Sequence, residues 1–215
     1  MELLQILFDF LFHLDDHLAT IFERFGTATY VILFLVIFVE TGLVIFPFLP
    51  GDSLLFAAGA ISATGALNPI FLFIFLALAA IVGDSVNYWI GNFIGPKAFK
   101  KGDAKFFKNE YLERTHEFYE RHGGKTIIIA RFIPIIRTFA PFVAGIGRMS
   151  YPGFLFYNAL GGVLWVGVFT FGGFYFGNLS LVRENFFVVI IAIILISLLP
   201  GLFEYVNQKR NKAAN

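Results

Sequence analysis

A chain of 215 residues that is 58% hydrophobic and only 14% charged carries too little polar surface for a soluble domain, where about 25% charged residues is usual. Composition therefore excludes an ordinary soluble enzyme and points to a polytopic bundle, one membrane domain over 1–215. The lack of cysteine excludes disulfides, thiolate metal sites and thiol nucleophiles, and a net charge of +1 gives no reason to expect nucleic acid.

In residues 2–25, Gln5, Asp9, His13, Asp16, Thr20 and Glu23 recur at steps of three and four. They form one polar stripe on an otherwise apolar surface, which predicts an interfacial amphipathic helix closed by Gly26. His13 and His17 have an i,i+4 metal spacing, but with no further ligand nearby they read as solvated interface residues, and no metal or other cofactor is expected. No basic leader or small-residue cleavage site is present, so no removable signal peptide is expected.

Residues 29–61 are apolar but interrupted by Glu40, Gly42, Pro47, Pro50, Gly51 and Asp52. Neither half offers the roughly twenty clean residues of a crossing, and each proline lacks a backbone donor. The stretch is predicted as two half-length helices meeting at a proline turn, with Asp52 or Ser53 capping the second. Past a polar gap, residues 70–94 are predicted to span. Asp84, Asn87 and Tyr88 lie on the later part of this span, and Gly83, Gly91 and Gly95 permit close helix contact.

Residues 97–125 are hydrophilic, with eight Lys/Arg against five Asp/Glu, and their second part is spaced for a surface helix ending at Gly123-Gly124. The basic excess predicts a cytoplasmic loop, and Lys209, Arg210 and Lys212 predict a cytoplasmic C-terminus. His116 and His122 read as solvated. Residues 126–146 are interrupted again, by Arg131, Pro134, Arg137, Pro141 and Gly145. Residues 154–176, with Asn158 near the start, and 186–206 are predicted spans. Trp89 and Trp165 read as interface or packing residues near span ends.

An even number of crossings must separate the loop from the C-terminus, so 126–146 is expected to enter and leave on one face and 29–61 to dip in from the other. The expected fold is an all-α polytopic membrane protein: an inverted repeat with two opposed re-entrant broken-helix hairpins, full transmembrane spans and an N-terminal amphipathic helix. PFLPG at 47–51 and PFVAG at 141–145 are a faint internal echo.

The first broken segment carries the acids Glu40 and Asp52, and the second the bases Arg131 and Arg137. Such groups either form ion pairs that hold the two halves together or line a substrate or ion path. Buried pairs often fail to recover their desolvation cost, and a path is the default for ionisable groups at depth. The planar arginine fork fits phosphate oxygens, which makes Arg131 and Arg137 candidate phosphate ligands, aimed at one anion by the break at Pro134. Glu40 and Asp52 are candidate proton-coupling carboxylates. Asp84 either joins that relay or forms an interhelical hydrogen-bond pair with Asn87. Pro47, Pro50, Gly51, Pro134 and Pro141 are the expected structural breaks.

Three stretches, ETGLVIFPFLPGDS at 40–53, GDSVNYWIG at 83–91 and RFIPIIRTFAPFVAG at 131–145, followed by Asn158 and Trp165, resemble the DedA family. These are bacterial inner-membrane proteins related to the SNARE-associated, or VTT-domain, lipid scramblases. The resemblance covers nearly the whole chain. It implies two opposed re-entrant loops and proton-motive-force-dependent flipping of a polyprenyl phosphate (undecaprenyl phosphate) or a phospholipid, with the functional acids and arginines at Glu40, Asp52, Arg131 and Arg137.

The expected function is a proton-linked flippase or scramblase for a lipid phosphate in the bacterial inner membrane. Its expected partners are membrane lipids, the lipid phosphate and protons, and a homo-oligomer is compatible with the sequence. The alternative transporter is a proton-coupled antiporter of small cations or drugs, with the acids as binding site and the arginines as counter-charges. A lipid phosphatase would want a nucleophile beside the arginines, and neither broken segment holds a histidine or cysteine; no enzyme is expected. A non-transporting scaffold would tolerate neutralisation of all four charges.

Overall fold

The computed structural model describes residues 20, 24–43, 51–100, 124–177, 179, 180, 182, 185, 188–193 and 195 (for 95–100, 134 and 135, the backbone). The expectations for the N-terminal helix over 2–19, for Pro47 and Pro50, for the loop over 101–123 and for the end of the last span lie outside them. Among the described residues, regular secondary structure is helical throughout, as the apolar composition predicts. The main helices are α1 (Thr29–Gly42), α2 (Gly51–Ser62), α3 (Pro69–Lys100), α4 (Lys125–Ala130), α5 (Pro134–Ile146) and α6 (Tyr151–Phe176).

Two of them are long and apolar enough to cross a bilayer, Pro69–Ile94 and Tyr151–Phe176, each 26 residues. At about 1.5 Å per residue each exceeds the roughly 30 Å hydrocarbon core. By the same rise α1, α2 and α5, with 14, 12 and 13 residues, reach only about 18–21 Å. Large apolar side chains stand exposed along the long helices, among them Ile70, Phe71, Leu78, Phe93, Phe156 and Val168. A soluble monomer rarely leaves that much apolar surface uncovered.

The prolines explain where the backbone stops and restarts. A residue before proline is driven from the α region, and Ile133 is extended, with φ −116° and ψ 106°. The turn Arg131–Ile133 therefore separates α4 from α5, with Ile133 N–H donating back to the Ala130 carbonyl at 3.0 Å. Pro134 then opens α5 from a position where its missing N–H has no helical partner to lose. Pro141 lies inside α5, which continues past it to Ile146, so it does not end the helix as expected of a structural break. α1 stops at Gly42, where Leu43 turns extended and its N–H closes onto the Val39 carbonyl at 3.1 Å.

The chain divides into two compact units. The larger comprises 28–49 and 70–168, and so holds α1, α3 from Ile70, α4, α5 and α6 as far as Val168. Its spine is α3, which meets both short helices backbone to backbone. A Cβ at Gly83 would overlap the Thr41 hydroxyl, and one at Gly42 would press on the Gly83 carbonyl. Further along, a Cβ at Gly91 would overlap the Phe142 carbonyl, and one at Gly145 the Tyr88 carbonyl. Beside that second contact Tyr88 stacks on Phe154 with ring centroids 4.6 Å apart, and its hydroxyl donates to the Met149 carbonyl. Ile127, Ala130, Ala140 and Ala144 complete this core.

The smaller unit includes α2 and the end of α6 from Phe169. There too glycines set the spacing, since a Cβ at Gly59 would strike the Thr170 carbonyl and one at Gly173 the Phe56 carbonyl. Ser62 closes α2 by donating to the Gly59 carbonyl at 2.6 Å.

Candidate functional site

Four ionisable side chains of the larger unit are buried together with their partners. Glu40, Asp84, Arg131 and Arg137 are 2%, 1%, 2% and 5% exposed. Ionised groups at such depth are stable only when paired and hydrogen-bonded, and two pairs form. Arg137, on the first turn of α5, donates from Nη2 to Glu40 Oε1 near the end of α1 at 2.5 Å. Arg131, in the turn before Pro134, donates from Nη2 to Asp84 Oδ2 on α3 and to Asn158 Oδ1 on α6, the latter at 2.5 Å. Asn158 is oriented in turn by its own Nδ2, which donates to the Ile81 carbonyl at 3.0 Å.

The acids of one broken segment were expected to meet the bases of the other. Glu40 and Arg137 do so, joining α1 to α5. Arg131 instead takes its carboxylate from the full-length helix α3. Asp52 belongs to the other compact unit, where it stands 8% exposed in the first turn of α2, a position at which the helix dipole favours an acid. Gly51 is the first residue of that helix.

Asp84 and Asn87, one turn apart on α3, do not pair with each other. Asn87 uses its amide to donate to the Thr41 carbonyl at the end of α1, 3.1 Å away, and to the Thr138 carbonyl of α5, 2.8 Å away. Both carbonyls lie where the regular ladder falters, the first at a helix end and the second just before Pro141. Asn87 thereby joins the end of α1 to the middle of α5 through two backbone carbonyls.

Trp165 has a different place from the one its aromatic character suggests. It sits in the middle of α6, fully buried, and both guanidinium groups face its ring. The Cζ of Arg137 is 4.6 Å and that of Arg131 is 5.7 Å from the ring centroid, within reach for cation–π attraction. Asn158, Gly161, Gly162 and Trp165 follow the i, i+3, i+4, i+7 spacing of one helix face. Positions for a Cβ at Gly161 and Gly162 lie 3.6 Å from Arg131 Nε and 3.3 Å from Arg131 Nη1. That spacing was legible in the sequence, although nothing there ties it to Arg131.

Among the described residues, Arg131 Nη1, Asp84 Oδ1 and Asn87 Oδ1 are buried without a hydrogen-bond partner. Each such atom costs about 1–3 kcal/mol.

Buried, paired charges where short helices meet long apolar helices define a helical membrane protein with a charged interior. Residues 49–175 match the VTT domain family. Over 215 residues, 99% of this chain and 98% of the other, the sequence is 52% identical to protein DedA of Escherichia coli K12. It is 45% identical over 185 residues to an uncharacterized membrane protein of Mycobacterium tuberculosis, covering 83% of this chain and 79% of that one. It is also 34% identical over 149 residues to the inner membrane protein YqjA of Escherichia coli K12, covering 69% and 68%. The chain belongs to the VTT-domain, or DedA, family of membrane proteins. No solved structure matches it.

Proposed function

We propose that this protein moves a lipid with a phosphate headgroup across the bacterial inner membrane, coupled to protons. The observation that carries the proposal is the pair of fully buried arginines, each held by a carboxylate and both against one indole ring. Two planar forks suit a phosphate group, and the carboxylates that occupy them are the natural competitors of an incoming anion. Protonation of Glu40 or Asp84 would release its arginine to the headgroup, and deprotonation would expel it. Asp52 is proposed as a further proton-coupling carboxylate. The lipid tail stays in the bilayer, and undecaprenyl phosphate and phospholipid are the two headgroup carriers considered.

In this reading the segments 29–61 and 126–146 are re-entrant hairpins entering from opposite faces, and the basic loop and the C-terminus are cytoplasmic. The short apolar helices α1, α2 and α5, together with the positive-inside rule, support that arrangement. The description of the relative YqjA as an inner membrane protein supports the location. The chain acts as a transporter and not an enzyme, since no histidine or cysteine lies in either broken segment.

The test is reconstitution of the pure protein into liposomes, scoring translocation of polyprenyl phosphate and of phospholipid with and without a pH gradient. Arg131→Lys and Arg137→Lys keep the charge but lose the fork. Each is expected to slow translocation about ten- to hundredfold, the worth of a charge-assisted hydrogen bond. Unchanged lipid translocation by both lysine variants would sink the phosphate reading and favour a cation antiporter.

A further inference from the structure

We propose that Trp165 is the positioning residue of this site, a shared aromatic platform that sets the plane of both guanidinium groups and so presents them together to a phosphate-type anion. The proposal rests on reading the two arginines as the headgroup site. Its basis is geometric. Each guanidinium is a planar fork, and orienting it takes two constraints, one on an edge and one on a face. For Arg131 the edge constraint is end-on: Nη2 alone serves both Asp84 and Asn158, and Nη1 has no hydrogen-bond partner among the described residues. The two hydrogens of Nη2 hold that edge, and the face is left to a separate contact. The face constraint comes from α6, where Gly161 and Gly162 let the guanidinium lie close to the backbone and Trp165, one turn further on, meets it with its ring.

Arg137 reaches the same ring from α5, closer still at 4.6 Å. Two like charges that would otherwise repel thus have one π-ring in common, in a place where desolvation makes cation–π attraction stronger than at a surface. The indole has no exposed area, so its task is internal to the site. Its removal should disturb both arginines at once, and should do so according to the quality of the π face more than the volume of the side chain.

The experiment uses the full-length protein in detergent, titrated with dodecyl phosphate as the anionic probe. Two series are run, Trp165→Phe with Trp165→Met, and Arg131→Gln with Arg137→Gln. Phenylalanine keeps a weaker π face, whereas methionine keeps flexible apolar bulk and no ring. Trp165→Met is expected to weaken binding about thirtyfold, the loss of one desolvated cation–π contact, and Trp165→Phe to recover most of it, with both variants melting at similar temperatures. Equal affinity of the two, or an unchanged affinity for Trp165→Met while the arginine variants lose binding, overturns the positioning role and leaves the headgroup reading standing. Wild-type affinity in both arginine variants defeats the headgroup reading itself.

A spectroscopic arm checks the platform without any ligand. The protein has two tryptophans, and Trp89 is half-exposed on α3 and outside the site, so Trp89→Phe leaves Trp165 as the sole reporter. In that background Arg137→Gln is expected to shift the emission of Trp165. An unmoved spectrum would mean that the guanidinium does not rest on the ring, and would overturn the proposal.

Discussion

Removing one partner of the Arg131–Asp84 pair is the sharpest test of how this interior is held together. Asp84→Ala leaves a guanidinium that is 2% exposed without its counter-charge, in surroundings where loss of one member of a buried pair costs about 3–5 kcal/mol. Asp84→Asn keeps an acceptor for Nη2 and should cost less, about 1.5–3 kcal/mol, the worth of a hydrogen bond to a charged group. Arg131→Met alone strands the carboxylate and should resemble Asp84→Ala. The double variant Asp84→Leu with Arg131→Met removes both charges, and well-packed apolar replacements of buried pairs are often neutral or stabilising. With Asp84→Leu and Arg131→Met as the matching single variants, each costing about 3–5 kcal/mol, and a near-neutral double variant, the coupling energy should reach about 6–10 kcal/mol. Equilibrium unfolding in mixed micelles titrated with sodium dodecyl sulfate, followed by circular dichroism, measures each corner of the cycle. Additivity within about 0.5 kcal/mol, the range for sites that do not touch, would refute the pairing and everything built on it.

Three further outcomes are expected. Gly91→Val or Gly145→Val places a side chain where the Phe142 or Tyr88 carbonyl now lies, and should destabilise by about 1–3 kcal/mol or more as α3 and α5 are forced apart, read as a lowered melting temperature in detergent. Asn87→Leu removes the two hydrogen bonds to the Thr41 and Thr138 carbonyls, at about 0.5–1.5 kcal/mol each, measured by the same unfolding titration. Glu40→Gln and Asp52→Asn should each abolish the pH dependence of lipid translocation in liposomes; a pH profile that stays unchanged in both would end the proton-coupling idea.

Much of the architecture was open to reading because it depends on local rules. The spans expected at 70–94 and 154–176 appear as helices starting at Pro69 and Tyr151, and the break before α5 follows from the steric demand of Pro134 on Ile133. Pairing is another matter, because it joins residues far apart in the chain. Glu40 and Arg137 are 97 positions apart, and Asp84 and Arg131 are 47 apart. Charge sign alone could suggest acids of one segment against bases of the other, which fits Glu40 with Arg137. It could not reveal that a carboxylate on an otherwise regular span takes Arg131. Asn87 looked like half of an interhelical pair with Asp84 because the two lie one turn apart; its actual acceptors are backbone carbonyls, which no sequence pattern displays. Trp165 was read as an interface or packing residue from its expected place near a span end, and only the fold brings two cations to its ring.

The two bonds made by Asn87 have a mechanical consequence. One amide nitrogen has two hydrogens, and here one ties down the end of α1 while the other ties down α5. Rotation of that single side chain would release both ends in the same event, and neither can be let go while the amide keeps its orientation. A neutral residue is thereby a tie common to both short helices, and any rearrangement that parts them from α3 must break both of its bonds.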